Sequence, residues 1–161
     1  MLTRTPNHPI RTLAIAVAAS LAIALLAWPA PSDAARKTET IRAFSKVVSF
    51  TYTSVDGTVT QGPPAGEPKP GDVFEIDSLD FVGNHKRHAK RATMSDYLRC
   101  TFLADGTPDC FGYTAIGGSL LRFDGMEVIG GTGRYHGATG KVLKNKEVPG
   151  GSDFVVQIRR R

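Results

Sequence analysis

Beyond its first 34 residues the sequence holds no segment that sustains an amphipathic helical period. It has no internal repeat and no low-complexity array except one proline-rich loop. These absences exclude a helical bundle and a parallel α/β sheet, which need long 3.6-periodic stretches, and a solenoid, which needs a repeat. Cysteine is scarce, with two in 161 residues, and neither lies near residue 34, so no lipid-modified cysteine anchors the chain there. No nucleophile-elbow pattern is present. Histidine past residue 34 is limited to His85, His88 and His136. The first two sit among Lys86, Arg87, Lys90 and Arg91, whose charges repel a metal ion, and His136 lies in a glycine turn, so no metal site is expected. Charge of one sign is also modest. The formal net charge is +5, below the footprint of a dedicated nucleic-acid binder.

The N-terminus has the form of an export signal. Arg4 and Arg11 precede Leu13 to Trp28, 16 apolar and small residues, a run short of a membrane span. Small residues follow at Ser32-Asp-Ala34. We expect residues 1–34 as a signal peptide, either cleaved or retained as an anchor, residues 35–46 as a loose charged arm, and residues 47–161 as one domain. Removing residues 1–34 takes away two Arg and one Asp and leaves a net charge of +4. A secreted or extracytoplasmic protein favours disulfides, and the spacing supplies one. Ala104-Asp-Gly106 fits a three-residue hairpin loop, which sets Cys100 directly across from Cys110.

From Val47 onward the pattern has period two. Val48, Phe50 and Tyr52 alternate with Ser49, Thr51 and Thr53; Met94, Leu98, Cys100 and Phe102 alternate with Tyr97, Arg99 and Thr101. Four prolines and three glycines between Gly62 and Gly71 exclude a regular element there. Seven or eight short strands, with turns every 8 to 12 residues, imply a sandwich or a closed barrel. Val128 to Val142 then carries Gly130, Gly131, Gly133, Gly137 and Gly140. A dinucleotide fingerprint fails, because Gly137 falls one place late and no helix follows. A phosphate loop fails as well, since Gly140-Lys141 is followed by Val142. These five glycines are read as structural, supplying positive φ and close backbone approach at a strand corner. No nucleotide and no other cofactor is expected.

Ile129-Gly-Gly-Thr-Gly-Arg-Tyr-His-Gly-Ala-Thr-Gly140 resembles the glycine signature of the dirigent and allene oxide cyclase barrel superfamily. Pro70-Gly71-Asp72, Cys100, Gly118 and Gly125 follow the same order, and the match spans roughly residues 70 to 160. The resemblance implies an all-β fold, a single eight-stranded antiparallel barrel with a short central cavity. Its cyclase branch surrounds an apolar epoxide with an acid, an asparagine and a cysteine. Cys100 matches that cysteine in position, whereas Val47 to Ser54 has neither Glu nor Asn. The dirigent branch holds phenoxy radicals beside aspartates and arginines, residues of the kind found here at Asp77, Arg99 and Arg134.

Within such a barrel Asp77, between Ile76 and Leu79, is the candidate buried carboxylate for proton transfer; otherwise it marks a bulge or pairs with Arg99. Arg99, Tyr97 and Tyr113 are candidates for hydrogen bonding or charge stabilisation in the cavity. The expected ligand is a small apolar or phenolic molecule that the barrel binds and whose coupling or cyclisation it guides. The alternatives are an isomerase with a buried carboxylate, and a module whose basic loop and Arg159 to Arg161 bind an anionic cell-envelope polymer. Nucleic acid is not an expected partner, and the barrel leaves room for an oligomer.

Overall fold

The computed structural model describes residues 37–160. The expected signal at 1–34 lies outside the described residues. Ten strands form one sheet: β1 (Lys37–Thr53), β2 (Val59–Gln61), β3 (Val73–Asn84), β4 (Arg87–His88), β5 (Met94–Phe102), β6 (Pro108–Ile116), β7 (Ser119–Asp124), β8 (Glu127–Gly131), β9 (Thr139–Val148) and β10 (Gly151–Arg160). From β5 to β10 each strand pairs antiparallel with the next, and β3 pairs with β5. The first strand closes the circle. Lys37 to Ser45 pair with β10, while Ala43 to Thr53 pair with β3. The result is a closed barrel of eight strands, with β2 and β4 as short additions.

Residues 35–46, expected as an arm, enter the sheet at Lys37. Glu39, Ile41 and Ala43 stand opposite Ile158, Val156 and Phe154. The charged Glu39 at an inward position hides the period of two, which only the partner strand reveals. A bulge between Val47 and Ser49 gives β1 one extra residue opposite β3. It bends β1 from its β10 neighbour toward β2.

The glycine signature forms a corner at one end of the barrel. After β8 the chain makes a single 3-10 turn, Gly133–Tyr135, instead of a nucleotide-binding helix. Gly133 adopts φ 56°, and a Cβ there would strike the Ser119 hydroxyl. At Gly140 a Cβ would meet the Gln157 carbonyl of β10. The turn places Tyr135 inside with no exposed surface. Its ring packs with Ala43, Met94, Ile116, Leu121, Val128, Val156 and Ile158 to fill that half of the interior. The Arg134 guanidinium lies 4.7 Å from the Tyr135 ring centre, and the Tyr135 hydroxyl is 3.4 Å from Glu39, which pairs with Arg160 at 3.1 Å.

Cys100 and Cys110 are cross-strand partners and form a disulfide, with Cα atoms 4.0 Å apart. Leu103 donates to Thr107 across the Ala104-Asp-Gly106 loop, as the hairpin geometry requires. The bridge closes a short loop of sequence separation 10. Substituting both cysteines with Ala is expected to cost about 2 to 3 kcal/mol of stability. Urea unfolding of the parent and of the double variant measures it; equal midpoints would mean that the bridge contributes nothing.

Candidate functional site

The inward rows of β1, β3, β5 and β6 carry a layer of polar side chains across the middle of the barrel. The register sets Ser45 opposite Asp80, Ser78 opposite Asp96, and Asp96 opposite Thr114. Asp80 and Asp96 are diagonal neighbours on adjacent strands, close enough for their carboxyls to interact. Asp80 has no exposed surface, and Ser45, Ser78 and Thr114 are each under 9% exposed. On one side of this layer lies the apolar core around Tyr135. On the other is a cavity of about 670 Å³.

The cavity has apolar walls, including Val47, Ile76, Leu98, Phe123, Val142 and Phe154, and a floor at Ser45, Ser78, Asp96 and Thr114. Gly112 opens the wall further because no side chain fits there: a Cβ would press on the Tyr97 carbonyl at 2.8 Å. Glu147 is the second acidic residue of the lining. None of the lining residues is Lys, Arg or His.

Neither oxygen of Asp80, nor Oδ1 of Asp96, has a hydrogen bond of good geometry among the described residues. Two bare carboxylates at this depth would cost several kcal/mol in desolvation and repulsion. One shared proton removes most of that cost. Burial first, then the neighbouring Asp80 charge, push the Asp96 carboxyl up to about 8, with Thr114 pulling slightly back. Burial also raises Asp80, opposed by Asp96 and the Ser45 hydroxyl. At neutral pH the layer therefore presents a protonated carboxyl to the cavity.

Of the residues singled out in the sequence, Tyr97 and Tyr113 border the cavity, while Asp77 and Arg99 do not. Asp77 is exposed on the outer face of β3, opposite Ser49 and Tyr97. β3 keeps its alternation without a bulge, so the buried acid of that strand is Asp80. Arg99 and Tyr97 also point outward. The Tyr97 hydroxyl and Arg99 Nη1 both donate to Glu75 Oε1, at 2.5 and 2.9 Å. The Tyr97 hydrogen bond, then Arg99, holds Glu75 below the usual carboxylate range. Tyr113 stacks on Tyr97 with ring centres 6.5 Å apart, and is 36% exposed. The structure thus brings Arg99 and Tyr113 together through Tyr97, on the outside of the wall that lines the cavity.

Asp96 was legible in principle. It shares the parity of Met94, Leu98 and Cys100, the apolar face of β5. A carboxylate in phase with an apolar row is the signal, and it holds for Asp80 as well.

Asp72, buried like Asp80, has a structural role. It accepts from the Tyr52 hydroxyl, from Val55 N at 2.7 Å and from Lys69 N at 2.6 Å, pinning the end of the proline loop. The Tyr52 hydrogen bond dominates in lowering its pKa, and the same bond raises Tyr52 to about 12.

No protein-family model matches the chain, and no curated protein matches it by sequence. Among solved structures, pyocyanin demethylase is similar over 74% of this chain and 99% of its own, with 16% identity and a TM-score of 0.56. Two pterocarpan synthase dirigent proteins align over 76% of this chain and 83% and 92% of theirs. Their identities are 17% and 16%, and their TM-scores 0.44 and 0.47. At such identity the likeness to the demethylase concerns the fold. The barrel that the resemblance implied is the fold this chain adopts.

The shared proton makes stability depend on pH. Asp96 titrates at its ordinary 3.8 when unfolded and at about 8 when folded, so the native state holds an extra proton between those values. Its stabilising contribution is complete below about pH 4 and is lost as pH rises toward 8. Asp96→Asn is expected to flatten that decline. Calorimetric melting of parent and variant from about pH 5 to 9 tests this; parallel curves would place the titrating proton elsewhere.

Proposed function

We propose that the barrel is a binding chamber for a small, neutral apolar or aromatic molecule, which it orients against the Asp96 carboxyl. The observation that carries this reading is the Asp96 carboxyl at the polar floor of a cavity whose walls are largely apolar. Its volume of about 670 Å³ falls in the range of small-molecule sites, roughly 300 to 1,000 Å³. Walls of Val, Leu, Ile and Phe reward burial of apolar surface at about 25 cal/mol per Å². The Asp96 proton donates to a carbonyl, ether or phenolic oxygen, fixing which end of the ligand points inward. The lack of a cationic lining residue disfavours carboxylate ligands, which would face Asp96 and Glu147 without a counter-charge.

A bound molecule held in one orientation reacts along one face. The chamber therefore guides coupling or cyclisation of its ligand by excluding the other approaches. Fold alone does not assign chemistry; the demethylase's name records one barrel of this fold acting on pyocyanin. The Cys100–Cys110 bridge supports an extracytoplasmic setting, where disulfides persist.

One observation favours a second reading, turnover by acid–base catalysis. A carboxyl with a pKa of about 8, next to a second carboxyl, can give a proton and take it back near neutrality. An isomerase or cyclase that uses Asp96, with Asp80 setting its charge, needs no further group in the chamber. Product formation that disappears in Asp96→Asn separates turnover from binding.

Neutral phenols and aromatic ketones, added singly, are expected to raise the melting temperature of the purified protein. Val47→Trp, at a position that lines the cavity yet is 54% exposed, should remove the shift while leaving the parent melting point intact. Ketone binding should weaken as pH rises through about 8. The absence of any ligand shift across such a panel would end the binding-chamber reading.

A further inference from the structure

The cations of the outer wall gather on one side. The outward rows of β1, β9 and β10 carry Arg42, Lys46, Lys141, Lys144, Lys146 and Arg159, all exposed. Arg42 and Lys144 flank Val155 in neighbouring strands. The β3–β4 flap lies along the same side, because Val82 is paired with Ala43 of β1. It and the loop that follows add Lys86, Arg87, Lys90 and Arg91, also exposed.

Few acids offset them: Glu147 of β9 is exposed but belongs to the cavity lining. Asp153 of β10 is occupied by His85, whose backbone N reaches Oδ1 and whose Nδ1 reaches Oδ2, each at 2.7 Å. Glu127 sits beside Lys141 at the margin. The other outward acids of the barrel wall, Glu75, Asp77, Asp109 and Asp124, stand on β3, β6 and β7. Charge is thus segregated around the barrel.

We propose that this basic face binds a flexible phosphate-bearing polymer chain. Strands lie about 4.8 Å apart and outward residues about 7 Å apart along a strand. The cations are therefore spaced roughly 7 to 10 Å from one another, near the Debye length of physiological salt, and their fields add over the face. Lysines, as unforked point charges, suit phosphate groups whose positions vary. The face is convex, wrapping three strands and a flap, so a flexible chain follows it where a flat bilayer meets it along one line. It offers no open aromatic platform for bases, since Phe44 is buried and Phe81 packs under the His88 ring at 5.2 Å. This surface is separate from the cavity and does not depend on what the cavity holds.

Fluorescently labelled long-chain inorganic polyphosphate is the probe, titrated with the purified protein at low and at physiological salt. Binding should be clear at low salt and weaken steeply as salt rises. Lys144→Glu and Arg87→Glu, on strand and flap, should each weaken binding several-fold, and the pair together about tenfold or more. Arg122→Glu, on the outer face of β7, makes the same change in net charge and should leave binding unaltered. All three positions are exposed, and equal melting temperatures check the fold. No binding at low salt overturns the proposal. So does an Arg122→Glu variant as weak as Lys144→Glu, or tighter binding to alginate or to phosphatidylglycerol vesicles than to polyphosphate.

Discussion

Closure of the sheet by β1 is the constraint on which the rest of this structure depends. A strand paired on both sides leaves no open edge along the barrel wall. It also commits every inward residue to a shared interior of limited size. Because β1 leaves β10 at Ser45 and continues along β3 past the Val47 bulge, its two halves serve different regions. The first half supplies Ala43 to the packed end, and the second borders the cavity with Val47. One strand thus defines both the solid and the hollow half of the molecule.

Between these halves the polar layer meets two opposing demands. Buried carboxyls oppose folding, and apolar side chains in place of Asp80 and Asp96 would satisfy the interior with less strain on the energetics. Their placement at the boundary, not within the packed half, is what a functional origin predicts: strained or costly groups concentrate at sites that use them. Asp72 shows the contrast. It too is buried, but it accepts three hydrogen bonds and its pKa falls. Burial with partners lowers a carboxyl's pKa, and burial without them raises it.

The barrel was legible in the sequence because period-two alternation and turn spacing are local signals, as was the Cys100–Cys110 register set by the Ala104-Asp-Gly106 loop. Two things were not. Residues 35–46 resemble an arm because charges such as Glu39 fall at inward positions and their partner, β10, lies more than a hundred residues away. Asp77 is exposed because proximity to apolar neighbours in sequence is not burial. Asp77 touches Ile76 in sequence, yet in a strand adjacent residues face opposite ways. Parity, not adjacency, decides, and it selects Asp80 and Asp96. Arg99 and Tyr113 went the same way: both share the outward parity of Tyr97.

The glycine signature supplies none of the cavity lining, yet it shapes the packed half of the interior. Gly133 alone tolerates the turn that swings Tyr135 inward beneath Ser119. Tyr135 in turn seals that end of the barrel, helped by the Arg134 stack and the Glu39–Arg160 pair. Tyr135 belongs to the packed half of the interior, and burial is the largest influence on Asp96 and on Asp80. Were that end open, both carboxyls would hydrate, ionise and repel, and the chamber would present charge in place of a proton. The motif that suggested a nucleotide loop serves instead to bring Tyr135 into the packed half of the interior.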